Sequence, residues 1–134
     1  MKALIIDDSS LKTDTISQYL NKFDITDITI RDCIKNGLYE LKLQAETDKQ
    51  YDLLILDMMF PNYPNGVIHP RAGLHVLREI KRKGWTTPVI LCSSDTIDND
   101  MICDFPNVIG SVLYDSSTDL TSDFKELISQ CYYE

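Results

Sequence analysis

Long runs of lysine and arginine are missing from this sequence, none exceeding three residues, and basic residues are outnumbered: 13 stand against 21 acidic ones, for a formal net charge of −8. Such a surface repels a polyphosphate backbone, which argues against direct nucleic-acid binding and leaves a protein or a cation as the expected partner. No apolar run approaches the ~20 residues that a helical bilayer crossing needs. The four cysteines, Cys33, Cys92, Cys103 and Cys131, form no CxxC pair, and their spacing with His69 or His75 fits no zinc pattern. They read as small, mostly apolar residues. With no secretory segment ahead of the first apolar run, the expectation is a reduced, cytoplasmic chain. Repeats, low-complexity tracts and linkers are also lacking, so 134 residues imply one domain spanning 1–134, with no effector domain after it.

What is present is a set of short apolar runs: residues 3–6 (ALII), 28–30 (ITI), 53–56 (LLIL), 89–92 (VILC) and 108–113 (VIGSVL). They are too short for helices and greasy at every position, as strands buried on both faces are. Between them lie stretches with helical spacing. Leu11, Ile16, Leu20 and Phe23 mark the first, with Ser9 or Ser10 as N-cap; Ile34, Leu38, Leu41 and Ala45 mark the second. Leu74, Leu77 and Ile80 precede Gly84, and Leu120, Phe124, Leu127 and Ile128 follow Asp119. Residues 93–106 support only a short helix, ended by Pro106. Alternating strands and helices with doubly apolar strands predict an α/β fold, a single doubly wound parallel sheet of five strands.

Carboxylates end two of the greasiest runs: Asp7 and Asp8 after residues 3–6, and Asp57 after residues 53–56. In open parallel sheets ligands sit beyond the carboxyl ends of the strands, where the winding reverses. With strand order 2-1-3-4-5 the first and third strands are neighbours, and the three acids meet. Two unit charges ~4 Å apart repel by about 4 kcal/mol at an effective dielectric of ~20. Three such pairs rival the roughly 5–15 kcal/mol of a whole domain, so a hard divalent cation such as Mg²⁺ is the expected compensation. Any one of these aspartates taken alone is better read as a helix cap or turn residue.

An acidic pair closing strand one, Asp57-Met-Met-Phe-Pro closing strand three and Ser93 closing strand four ("PVILCSS") together resemble the receiver domain of two-component response regulators. The likeness also takes in "CIKNGLYEL" and "AGLHVLREIK". The resemblance implies a flavodoxin-like sheet in which Asp57 accepts a phosphoryl group from a histidine kinase or phosphotransfer protein. Asp8 and Asp57 would hold Mg²⁺ directly, Asp7 through water, and the Met59 backbone carbonyl would be the third protein ligand. Ser93 would hydrogen-bond a phosphoryl oxygen. The implied partners are that kinase and a downstream protein target, and a homodimer with a second copy of the chain is left open.

Three features depart from the family pattern. Tyr114, followed by Asp115, stands where a lysine followed by proline is usual, which predicts the loss of one neutralising cation from the acid pocket. Ser111 replaces the aromatic switch residue. The loop at 62–73 is long, and reads either as an insertion without a role or as a lid bringing Arg71 in place of the missing charge. Two other functions remain open: a degenerate receiver used as a constitutive interaction module, and a Mg²⁺-dependent phosphatase with Asp57 as nucleophile. The second lacks the acid two positions on, which is Met59, so no enzyme activity is expected. His75 is read as half-buried and His69 as solvated, while Tyr132 and Tyr133 at the tail could pack on a partner.

Overall fold

The computed structural model describes residues 1–47 and 50–131; the tail tyrosines lie outside this range. The central sheet is made of β1 (Lys2–Ile6), β2 (Asp27–Arg31), β3 (Leu53–Leu56), β6 (Val89–Ser93) and β7 (Val108–Leu113). It is entirely parallel, in the order β2-β1-β3-β6-β7, which is the expected 2-1-3-4-5 winding once the sheet strands alone are counted. A separate two-residue hairpin, β4 (Phe60–Pro61) with β5 (Ile68–His69), precedes the third helix.

Side chains alternate across a strand, so each strand here feeds two cores. Leu4, Ile6, Leu54, Leu56, Val89 and Leu91 face one, under α2 (Ile34–Glu46) and α3 (Ala72–Lys83). Ala3, Ile5, Leu53, Ile55, Ile90 and Cys92 face the other, under α1 (Ser10–Asn21) and α5 (Thr121–Cys131). β1, β3 and β6 are covered on both sides, which is why these runs carry no polar residue until their ends.

The helices begin and end for local reasons. Ser9 caps α1 by accepting from the Lys12 N–H, and the Cys33 sulfur does the same weakly for Asn36 at the start of α2. α3 ends at Gly84 with φ of 69°, the left-handed conformation in which glycine avoids the Cβ clash. The short helix α4 (Asn99–Ile102) has no buried residue, consistent with the weak apolar pattern before Pro106.

Three expectations need correction. Leu11 does not begin the buried stripe of α1: it is 80% exposed, and Lys12, Thr13, Ile16 and Leu20 face inward. The 62–73 loop is shorter than read: 62–67 is the turn of the β4–β5 hairpin, β5 follows and α3 begins at Ala72, and Arg71 is exposed at the start of that helix with its N–H donated to His69 Nδ1. The two histidines exchange environments: His69 is half-buried and His75 exposed.

Candidate functional site

β1 and β3 pair in register up to Ile6 opposite Leu56, and β3 pairs with β6 as Leu56 opposite Leu91. The next residues along, Asp7, Asp57 and Cys92, therefore form one row across three strands. The Asp57 N–H donates to the Ile6 carbonyl at 3.1 Å and the Asp7 N–H to the Arg31 carbonyl at 3.0 Å, so the backbone holds this row in place. Alternation sends Asp7 and Asp57 to the side of Ile5 and Ile55, beneath α1. Asp8, one residue further, is exposed at the rim. Carboxylate oxygens of Asp7, Asp8 and Asp57 all lie within 4.8 Å of one another, so the three acids do converge.

A residue that the sequence reading overlooked lies among them. Lys12, only 6% exposed, reaches down from the first turn of α1 and places Nζ 2.8 Å from Asp7 Oδ2, 3.2 Å from Asp57 Oδ1 and 2.7 Å from the Cys92 carbonyl. Asp7 Oδ2 is buried with no aligned hydrogen-bond donor among the described residues, so its attraction to Nζ is Coulombic in kind. Asp57 Oδ1 also accepts the Met58 N–H at 2.8 Å. The expected deficit of a cation is thus corrected: the pocket has one, delivered by Lys12 and not by Arg71, which makes no ion pair among the described residues.

Tyr114 is part of the same arrangement. Its N–H donates to the Ser93 carbonyl at 2.7 Å, fixing it at the end of β7 beside β6, and its ring centroid is 5.4 Å from Lys12 Nζ. A ring face at that distance attracts an ammonium. Ser93 is buried, and its Oγ accepts from the Asp95 N–H at 3.2 Å, so no side chain locks it onto the acids. Met59 is 44% exposed on the rim, and with Met58, Ser93 and Thr96 it lines a shallow cleft beside the acids. Behind them, Gly73 closes the packing: a Cβ there would stand 2.5 Å from the Asp57 carbonyl oxygen, so α3 can press against this turn only with glycine.

Protonation follows from this geometry. Burial raises the Asp57 pKa above the usual carboxylate value and Asp7 adds to the rise, with Lys12 and the Met58 N–H acting against both. Asp8 is also raised, by burial and by Asp7, against a lowering backbone hydrogen bond. For Lys12 burial alone would lower the pKa, but Asp7 and Asp57 outweigh it and hold the ammonium charged. Burial pushes the Cys92 thiol up to about 12, so it is an uncharged wall rather than a nucleophile. Three carboxylates and one ammonium leave a formal −2 at the rim of the sheet.

These donors suit a hard cation. They are all oxygens, Asp8 is exposed to solvent at the rim, and their residual charge matches that of a divalent ion. Asp7, Asp8 and Asp57 together could hold a metal ion.

Comparisons with known proteins agree with this geometry. Residues 3–105 match the response regulator receiver domain family. The transcriptional regulatory protein CiaR of Streptococcus pneumoniae is 31% identical over 100 residues, or 74% of this chain; the match spans 38% of that protein's length. The BeF3-activated N-terminal receiver domain of Klebsiella pneumoniae RstA superposes with a TM-score of 0.69 at 20% identity, covering 98% of both chains. The N-terminal domain of a response regulator/sensory box/GGDEF 3-domain protein from Carboxydothermus hydrogenoformans gives a TM-score of 0.70 at 18% identity, covering 99% of this chain and 94% of that one. With strand order, acid row and family match in agreement, the chain belongs to the response regulator receiver domains of two-component systems.

Proposed function

We propose that this receiver domain accepts a phosphoryl group on Asp57 from a phosphohistidine of a partner kinase or phosphotransfer protein, with Mg²⁺ held by Asp8, Asp57 and the Met59 carbonyl. The observation that carries the reading is the convergence of Asp7, Asp8 and Asp57 within 4.8 Å at the rim of the sheet. In the transfer an Asp57 carboxylate oxygen bonds to phosphorus as the P–N bond breaks. The electron pair stays with the imidazole nitrogen, which takes a proton from solvent. Such a reaction asks for positioning and charge neutralisation more than covalent help. When bound, Mg²⁺ supplies Lewis-acid neutralisation of the phosphoryl oxygens.

The chain's own residues do the rest. The strand-end backbone presents Asp57 with Oδ1 engaged by the Met58 N–H and Lys12, leaving Oδ2 with no protein donor among the described residues as the oxygen facing the incoming phosphorus. The buried Ser93 hydroxyl, which accepts a 3.2 Å bond from the Asp95 N–H, would turn toward a phosphoryl oxygen. The acidic balance favours a protein partner with a basic docking face, and no helix among the described residues is long and apolar enough to cross a membrane.

The test is intact mass after treatment with a small phosphodonor and Mg²⁺. One added phosphoryl group, absent from Asp57→Asn, is the expected result. An unchanged mass would favour a phosphorylation-independent interaction module, the reading that Tyr114 in place of lysine suggests. Hydrolytic turnover of phosphomonoesters is not expected, because Met59 offers no proton two residues beyond Asp57.

A further inference from the structure

We propose that Lys12 is the phosphoryl-holding cation of this domain, delivered from helix α1 rather than from the end of β7, where Tyr114 stands. The inference rests on Asp57 being the phosphoacceptor and goes beyond it by assigning the group that meets the phosphoryl charge.

Lysine is out of place at this position by ordinary helix rules. It is the third residue of α1, in the turn where the helix dipole favours anions, and its side chain is almost fully buried. Both features oppose a cation, and the carboxylates of Asp7 and Asp57 are what hold it there. Three oxygens surround Nζ, but only the Cys92 carbonyl is aligned as a hydrogen-bond acceptor, and the two carboxylates are held by charge. They are not equivalent. The Cys92 carbonyl at 2.7 Å and Asp7 Oδ2 at 2.8 Å are the close contacts, whereas Asp57 Oδ1 stands at 3.2 Å and is shared with the Met58 N–H.

The weakest of the three contacts is therefore the one on the group that would change. When Asp57 gains a phosphoryl group, its carboxylate charge moves outward onto the phosphoryl oxygens. Lys12 keeps its two close contacts and turns a hydrogen not engaged by the Cys92 carbonyl to one of those oxygens. No large movement is needed, and the stem is already ordered by packing beneath the helix, so little side-chain entropy is lost. The Tyr114 ring lies over the ammonium, 5.4 Å from its centroid to Nζ.

A cation placed this way has opposite effects on two ligands. It competes electrostatically with Mg²⁺ and attracts a phosphoryl-like anion. A lysine that only stabilised the fold would affect both in the same direction. The experiment measures Mg²⁺ affinity by calorimetry, and beryllofluoride affinity at saturating Mg²⁺ by ¹⁹F NMR, in the whole chain. Lys12→Gln should bind Mg²⁺ more tightly while binding beryllofluoride on the order of tenfold more weakly, as expected for a lost charge-assisted contact to an anion. Adding Tyr114→Lys, which places an ammonium within reach of the same point, should restore most of that loss.

Tyr114→Lys alone, which leaves Lys12 untouched and guards against a Lys12 variant that fails to fold, should change beryllofluoride affinity little because the place is already filled. The proposal is overturned if Lys12→Gln leaves beryllofluoride affinity unchanged or weakens both ligands together, or if Tyr114→Lys alone strengthens beryllofluoride binding on the order of tenfold. Absence of beryllofluoride binding by the unmodified protein would instead overturn the phosphoacceptor reading, and this inference with it.

Discussion

Two buried carboxylate sites among the described residues, one at Glu40 and one at Asp57, have been built in opposite ways. At Glu40, 8% exposed on α2, the carboxylate accepts from the Tyr51 hydroxyl at 2.6 Å, from Arg31 at 3.1 Å and from Gln44 at 3.3 Å. Its pKa is lowered, first by the Tyr51 hydroxyl and then, against burial, by Arg31. At Asp57 the donors are fewer, a second carboxylate stands alongside, and burial with Asp7 raises the pKa. One cluster has its charge answered within the chain; the other is left with excess negative charge at a solvent-facing rim. The lesson is that burial of an acid is not itself a sign of function. The sign is burial with compensation left incomplete, where a ligand from outside can complete it.

Removing the one internal cation of the rim cluster should produce the largest effect on that contrast. Lys12→Met leaves Asp7 and Asp57 buried without a counter-charge and should cost about 3–5 kcal/mol in denaturant unfolding without Mg²⁺. Mg²⁺ should recover part of the loss, since it binds only the folded site. Next is the satisfied cluster: Tyr51→Phe takes away the shortest donor to Glu40 and should cost about 1.5–3 kcal/mol, with no recovery on adding Mg²⁺. If Mg²⁺ rescued both variants equally, the distinction between the clusters would be lost.

A smaller effect, opposite in sign, is expected at the acceptor. Asp57→Asn keeps the acceptor for the Met58 N–H and removes one repelling charge, so stability should stay level or rise by up to about 1 kcal/mol. A clear loss would mean that Asp57 is a structural counter-ion, like Glu40. The mildest effect is on pH dependence. Because Glu40 is depressed below its ordinary value of 4.5 in the fold, its contribution is full above that value and is lost as pH falls through the lower folded pKa. Glu40→Gln should flatten the acid limb of a stability–pH curve in that window, measured by urea unfolding.

The sheet was legible because each strand has a short apolar run at its centre and β1 and β3 end abruptly in charge, so bounds for all five could be read to within a residue or two from the pattern of apolar runs. The acid row was legible for the same reason, since Asp7 and Asp57 are the residues at which β1 and β3 stop being buried on both faces. The hairpin was not: strands of two residues carry no periodicity. Lys12 was missed because its partners are remote in sequence, Asp57 and Cys92 among them, and because Leu11 beside it offered a better apolar stripe. A local clue existed, a lysine in the first turn of a helix just after two aspartates, where both burial and the helix dipole disfavour it. The Glu40 cluster gave no clue, since a glutamate inside a helix is ordinary and Tyr51 is reached only by folding.

The central claim, that the rim acids are left incomplete in order to take a cation while the others are not, is tested most directly by titrating Mg²⁺ into isotopically labelled protein and following backbone amide resonances. The account predicts saturable shifts concentrated at Asp7, Asp8 and Asp57 to Met59, with Arg31, Glu40 and Tyr51 unmoved. Shifts scattered over the acidic surface without saturation, or the same response at both clusters, would contradict it.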